Sequence, residues 1–457
     1  MNEIRVIKDL YQQGNLGKAF QEAYTLFHRK AVSLTDKAEA LQIMGLIFLH
    51  QDNYLDAEVA FKKSCQIDAE NPKYQHSLGV TYLMSRRYPQ ATAAFFDLHS
   101  KDPSNAEYWS SYVTALAESG QLDSVWKEFE KLWKAYPKNE KVYYAYCRYL
   151  TYIFPIGEWH EYWPAADHDK IIPEMVRPAL LKLRIADAYI RQDTKKIKLY
   201  LKLLKHHLNL FNGKDIEVGN LAIANQYKSN LLNAQGYYSF MSKLIEYAPL
   251  KREEEVRQAY IVGDSHSLSP YRQFISIKKE KFQIQSRLVM GVKAWHLARR
   301  ENSVQRAALK RELESLPEGA ACIVSVGEID TRDDEGIWDV VQRKGKDIEE
   351  TLAKTFPPAV EWLAKYGKNL RLVVCGLPMP PQARIDRKLK GKAKEYESFI
   401  EQANKLWVES LLDKGVAVLD INAMTKNQDW HIDTIHLKPD ALAYAFEKYL
   451  IKPKSWK

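Results

Sequence analysis

Cysteine is scarce in this chain and never paired. The 457 residues hold four: Cys65, Cys147, Cys322 and Cys375. Each stands alone inside a helical or strand-like pattern, and none has the short spacing of a zinc site or a disulfide framework. Buried free thiols are expected, with no metal site and no cofactor. Long hydrophobic runs are missing too. The longest, such as LRLVVCGL around Val373, have the length of a strand and fall far short of a bilayer. The opening stretch MNEIRVIKDLYQQGNLGKAF is charged and amphipathic, without the apolar segment or small-residue cleavage site of a signal peptide. A cytoplasmic protein with no membrane span is expected.

Nor is there a strong excess of one charge. A formal charge of +9 on 53.0 kDa is mild, and most lysines lie beside acidic residues on helical faces. Solvated surface is the simpler account, and an anionic partner is the other. Nucleic acid ranks last among such partners, because no recognition motif accompanies the charge. What the chain does have is length for two or three domains, 46% hydrophobic residues and 27% charged residues, the mix of a chain with real cores.

The first half repeats itself. Gly45 and Gly79 recur at a fixed offset in IMGLIFL and SLGVTYL. The same offset links Ala57 to Ala91, Phe61 to Phe95 to Phe129, and Pro103 to Pro137, while Trp109 opens the first helix of a later unit. Small residues suit the contact between two helices of one unit, and large aromatics suit the stacking of units. Over about 37–137 this pattern resembles the tetratricopeptide family. Residues 1–140 are assigned to such repeats, with an irregular unit first (Ala19 and Ala23 on one face). Residues 141–250 read as atypical repeats or a capping helical bundle, interrupted by the irregular IGEWHEYWPAADHDKIIP. The Tyr143, Tyr146 and Tyr149 stripe is either core or a concave binding surface.

From about residue 255 the period changes. AYIVG, RLVMG, ACIVSVG, LRLVVCG and VAVLD are short β-branched runs separated by amphipathic helical patterns, which implies βαβ units around a five-stranded parallel sheet. In such sheets functional groups gather at the carboxyl ends of the strands. Those ends carry Gly263, Asp264 and Ser265, then Gly291, then Gly327 to Arg332, then a proline-rich loop, and finally Asp433 and His436 in DTIHL.

This arrangement resembles the SGNH/GDSL hydrolases over the last 200 or so residues. The resemblance implies a three-layer α/β/α, flavodoxin-like domain over 255–457, behind an all-α solenoid. It implies Ser265 as nucleophile, His436 as its base and Asp433 as the group that orients the base, with Asp433 and His436 on one face of a helical turn. The backbone amides of Ser265 and Gly291 would hold the oxyanion. The family's third block is Gly-x-Asn-Asp, whereas this chain has Gly327, Glu328, Ile329, Asp330. Isoleucine donates no hydrogen bond, so Arg332 is the first candidate for the missing donor. Glu328, Asp330 and Arg332 are candidate binding residues, with a structural Asp–Arg pair as the alternative. His266, His296 and His431 are expected to be local or surface histidines, His431 being the reserve candidate for the base.

A basic cluster follows the fourth strand: Arg384, Arg387, Lys388, Lys390, Lys392 and Lys394. It is either a solvated loop or an anion-binding one, for coenzyme A, a nucleotide-linked or lipid-pyrophosphate sugar, or an acidic polysaccharide. The expected function is a serine esterase or acyltransferase acting on a carbohydrate or another polar ester. The repeats would dock a protein partner or an extended glycan, an architecture that resembles bacterial polysaccharide assembly proteins. The alternatives are a hydrolase-like binding module that has lost its chemistry, and a transferase using a phosphorylated or nucleotide-linked donor.

Overall fold

A computed structural model of the chain describes residues 3–163, 177–211, 221–247, 254–277 and 279–454. The chain divides into two compact units. The first is built mainly on Met1–Tyr149, the second on Leu150–Trp163, Leu180–Lys205 and Ala234–Lys457.

The first unit is a tetratricopeptide-like array of helical hairpins. These are α1 (Glu3–Gln12) with α2 (Leu16–His28), α3 (Leu34–His50) with α4 (Tyr54–Ile67), α5 (Pro72–Met84) with α6 (Tyr88–Lys101), and α7 (Ala106–Glu118) with α8 (Leu122–Ala135). Helix α9 (Glu140–Ile153) follows. The repeat is written in the backbone. Left-handed residues Asp52, Arg86 and Gly120 turn the last three hairpins at the same offset, and Ser33, Asn71 and Asn105 cap the first helix of each of those three by accepting backbone N–H groups. Each cap is worth about 1 kcal/mol. The packing explains the glycines. A Cβ at Gly45 would lie 2.6 Å from the Phe61 ring, and one at Gly79 would lie 2.7 Å from Phe95. The repeat phenylalanine therefore sits over the glycine of its own hairpin, where the sequence pattern assigned it to stacking between units. The tyrosine stripe is core: Tyr143, Tyr146 and Tyr149 are buried against Trp133, Trp126 and Phe129.

The second unit carries a seven-stranded mixed sheet. Its strands are β1 (Arg257–Gly263), β2 (Phe274–Ile277), β3 (Glu280–Leu288), β4 (Ala321–Ser325), β5 (Arg371–Cys375), β6 (Ala417–Leu419) and β7 (Leu450–Ile451), in the order β2-β3-β1-β4-β5-β6-β7. The strands expected at AYIVG, ACIVSVG, LRLVVCG and VAVLD are β1, β4, β5 and β6, whereas the one expected at RLVMG is displaced, since β3 shares only Arg287 and Leu288 with it. These five strands are mutually parallel. Antiparallel β2 and β7 close the two edges, which corrects the five-stranded expectation. The helix expected between β1 and β3 is also replaced, by a 3₁₀ turn (Ser265–Leu268) and β2. Left-handed Lys279 turns the chain from β2 into β3. On one face Ala259, Ile261, Ile323, Val373, Ala417 and Leu419 pack against Ala441, Leu442, Ala445 and Phe446 of the helix Ala441–Lys448. The alternate residues, including Val262, Val324, Val374 and Val418, are equally buried and point to the other face.

Parts of the helices before the sheet, within Leu150–Trp163, Leu180–Lys205 and from Ala234 onward, belong to this unit as well. Tyr152 donates to the Met290 carbonyl at 3.0 Å and Tyr271 donates to the Ile190 carbonyl at 2.8 Å. Of the segment read as an irregular insertion, 156–163 forms a turn and the short helix Trp159–Tyr162, and the remainder lies outside the described residues. The four thiols are free, with Cys65 half-buried and the others buried. Among the described residues no helix is long and apolar enough to cross a membrane.

Candidate active site

Strands β1 and β4 lead directly into one cluster, and the loop after the helix Ile421–Asn427 completes it. Strand β1 ends on Gly263, where a Cβ would collide with the Ser325 carbonyl of the neighbouring β4, so only glycine lets the chain turn there. Asp264 then caps the 3₁₀ turn, its Oδ1 accepting the His266 N–H at 3.0 Å. Ser265 is left partly exposed at the first position of that turn.

Ser265 Oγ lies 2.8 Å from His436 Nε2, and His436 Nδ1 lies 2.9 Å from Asp433 Oδ2. The segment holding Asp433 and His436 is not the helical turn expected from its spacing. It is a loop closed by a bridge between His431 and Leu437 and wound around Asp433, whose Oδ1 accepts the N–H groups of Ile435 and His436 at 2.7 and 2.6 Å. The side chain dictates the turn here, as Asx turns do. Burial pushes the Asp433 carboxyl up, but His436 and the two backbone donors outweigh it and hold it well below the usual carboxylate range. His436 is buried. Burial lowers its pKa, and the charges of His266 and Arg332 lower it further, while Asp433 opposes them.

Two neighbours of His436 were not foreseen. Phe240, on the helix Leu221–Tyr247, is fully buried and stacks on the imidazole with ring centroids 3.7 Å apart and planes 16° from parallel. His266 approaches at 4.9 Å. It was expected to be local or surface-exposed, and it is local and buried. Nothing in the sequence points to Phe240, whereas His266 adjoins Ser265 in GDSHS.

Strand β4 leads through left-handed Gly327, where a Cβ would lie 2.7 Å from Leu377, into the short helix Glu328–Thr331. Glu328 grips Arg332 with both carboxylate oxygens, at 2.9 Å from Nε and 2.7 Å from Nη2. Glu335 takes Nη1 at 2.6 Å. Burial works upward on Glu328, yet Arg332 and His266 bring its pKa down to about 2. The guanidinium expected to replace the missing oxyanion donor is thus committed to two carboxylates. Ile329 is buried. Asp330 is buried as well, and its oxygens accept the N–H groups of Ala294 and Trp295 at 2.7 and 3.0 Å. Those donors hold it down only partly, and burial raises its pKa to about 6. Asp330 therefore anchors the turn after Gly291, a left-handed and exposed residue, and its carboxylate is not offered to a ligand.

The basic cluster is split. Its first residues form the helix Gln382–Lys388. Arg384 is 6% exposed and paired with Asp333 and Asp334, while Arg387 and Lys388 face outward. Buried pairing neutralises Arg384, which corrects its assignment to a free anion-binding loop. His296 accepts the Lys293 N–H at 3.0 Å. His431 is held by Asp429 and lines a pocket with Glu328, Arg332, Arg384, Tyr396 and Thr434.

No family model matches this chain, and no curated protein does. Solved structures similar to it include the Pseudomonas aeruginosa pilF protein, at 16% identity over 50% of this chain and 95% of that one, with a TM-score of 0.36. A tetratricopeptide repeat protein from Parabacteroides merdae is 13% identical over 55% of this chain and 93% of that one, with a TM-score of 0.34. The assignment of the first unit rests on its own repeat geometry.

Proposed function

We propose that the second unit is an acyl-transfer enzyme of the SGNH/GDSL type, an esterase or O-acyltransferase acting on a carbohydrate or similar polar ester. The observation that carries this is the unbroken chain from Ser265 Oγ through His436 to Asp433, set at the carboxyl ends of parallel strands whose order is flavodoxin-like once the edge strands are set aside. A neutral His436 with its proton on Nδ1 donates to Asp433 and leaves Nε2 to accept the serine proton. Ser265 Oγ then bonds to the ester carbonyl carbon. The proton held on His436 passes to the departing alcohol, and the acyl group stays on Ser265. Water or an acceptor hydroxyl, deprotonated by the same histidine, releases it. The amide of Ser265, at the start of a 3₁₀ turn with no acceptor within that turn, and that of Gly291 are the oxyanion donors of this reading.

In this reading a neutral polar ester suits the site better than an anion, because Arg332 and Arg384 are already paired with carboxylates. The repeat array would dock a protein partner or an extended glycan. One observation favours a second reading, a binding module without turnover: Ile329 supplies no third oxyanion donor, a loss worth about 10²–10³ in rate. A fluorophosphonate probe on the full chain separates the two. Labelling that disappears in Ser265→Ala supports the enzyme. No labelling of the wild type, together with no turnover across a panel of acetylated sugars, overturns it.

A further inference from the structure

We infer that His266 is held permanently as an imidazolium beside the catalytic histidine, and that it is a positioning residue which sets the basicity of His436. The second half of this inference rests on the acyl-transfer reading, while the charge state of His266 stands without it.

Both ring nitrogens of His266 face acceptors. Nδ1 lies 3.2 Å from Asp264 Oδ1 and 4.0 Å from Glu328 Oε2, and Nε2 lies 3.2 Å from the Ile435 carbonyl. A neutral imidazole has one N–H, so one of these approaches would set lone pair against lone pair. Only the doubly protonated ring satisfies both. The charge balance agrees. Asp264, Glu328 and Arg332 form a buried or nearly buried group with His266, which is neutral with an imidazolium and carries an uncompensated negative charge without one. Uncompensated buried charge is costly. Asp264 Oδ1 takes both the His266 N–H and the ring Nδ1, while its buried Oδ2 has no hydrogen-bond partner, which leaves that carboxylate dependent on the nearby cation. Burial alone would strip the proton, but Asp264 and Glu328 outweigh burial and push the His266 pKa up to about 9, against the opposing charge of Arg332.

Asp264, His266 and Glu328 also offer ligand atoms within 4.8 Å of one another, so a divalent cation is the competing occupant. Glu328 is turned away from that role, because both of its oxygens are taken by Arg332. For His436 the consequence follows from distance. A fixed positive ring at 4.9 Å opposes the positive charge His436 acquires when it takes the serine proton. The groups facing this pair of histidines are Asp264 and Glu328 on His266, Asp433 on His436, and Arg332 and His431 beyond them.

The test uses the full chain with ¹⁵N-labelled histidine, followed by long-range ¹H–¹⁵N spectra from pH 5 to 8. One histidine should keep both nitrogens in the imidazolium range at pH 8, unchanged by EDTA and by added Zn²⁺ or Mn²⁺, and its signals should vanish in His266→Gln. A pyridine-type nitrogen on His266 at pH 7, or signals that depend on the metal, overturns the inference. In a folded His266→Gln protein, the His436 midpoint should rise by on the order of one unit, both in the spectra and in the pH profile of fluorophosphonate labelling. An unmoved midpoint overturns the positioning role. If His266 is an imidazolium but the wild type never labels, the charge assignment stands and the acyl-transfer reading falls. The wild-type spectra decide the first part even if the variant does not fold.

Discussion

Replacing Phe240 by leucine should slow acylation of Ser265 by about tenfold to thirtyfold while leaving the second unit folded. The Phe240 ring lies flat on His436 at 3.7 Å, within a fully buried environment. During acylation the imidazole becomes a cation, and a desolvated cation over an aromatic face gains about 2 kcal/mol. At about 1.36 kcal/mol per decade, losing it all costs about thirtyfold, and partial proton transfer in the transition state gives the lower figure. Leucine keeps most of the apolar burial, so the stability loss should stay near 1 kcal/mol. The assay is the second-order rate of fluorophosphonate labelling at fixed pH, alongside a thermal melt for each protein. The same loss should move the His436 midpoint further down, because the stack favours the charged form. Phe240→Tyr, which keeps the ring, should restore most of the rate. If leucine labels within twofold of wild type with an unmoved midpoint, the stack is only packing and the argument is wrong.

Three other outcomes are expected. Labelling should rise with pH as His436 loses its proton and reach half its plateau below pH 6.5, because burial and two neighbouring cations lower that pKa from its ordinary 6.5; a midpoint at 7 or above contradicts this. Gly79→Trp should destabilise the first unit by about 1–3 kcal/mol or more, since even a Cβ there meets Phe95 at 2.7 Å, and should leave labelling of Ser265 intact; an unchanged melt means that the hairpin contact is misplaced. A fragment of residues 254–457 should melt at a lower temperature and label more slowly than one starting near residue 150, because it lacks Phe240 and the carbonyl of Ile190 that receives Tyr271; equal behaviour of the two shows the earlier helices to be dispensable.

The sequence reveals what depends on regular spacing. The offset that joins Gly45 to Gly79 and Phe61 to Phe95 is set by hairpins that stack at a constant interval, and the structure repeats it in the turns at Asp52, Arg86 and Gly120. Four of the parallel strands were legible because each is a short apolar run ending near a glycine or a polar loop, whereas β3, EKFQIQSRL, overlaps the expected RLVMG only at Arg287 and Leu288. Strands β2 and β7, four and two residues long, were not foreseen. The loop around Asp433 was misread because a three-residue spacing fits both a helical turn and an Asx turn, and only the capture of two N–H groups by the carboxylate distinguishes them. The pairing of Glu328 with Arg332 is an i,i+4 pair and was within reach of the sequence. That of Arg384 with Asp333 joins the helix Gln382–Lys388 to a loop 51 residues earlier and was not.

The residues that complete the site are those no motif contains. In the proposed reading Ser265, His436 and Asp433 are the nucleophile, the base and the orienting carboxylate, but the strength of the base depends on what faces the imidazole. Phe240 favours the charged ring, and His266 opposes it. Burial adds to the second effect, so the balance lies toward a weak base that is already neutral in mildly acidic solution. Such a base can accept a proton only briefly, which helps it return that proton to the leaving alcohol. Two walls of opposite sign therefore do what neither does alone: one orients the ring and shelters it from water, and the other keeps it from holding its proton. Because Phe240 comes from a helix that precedes the sheet, the functional boundary of the second unit lies upstream of the point where the strand pattern begins.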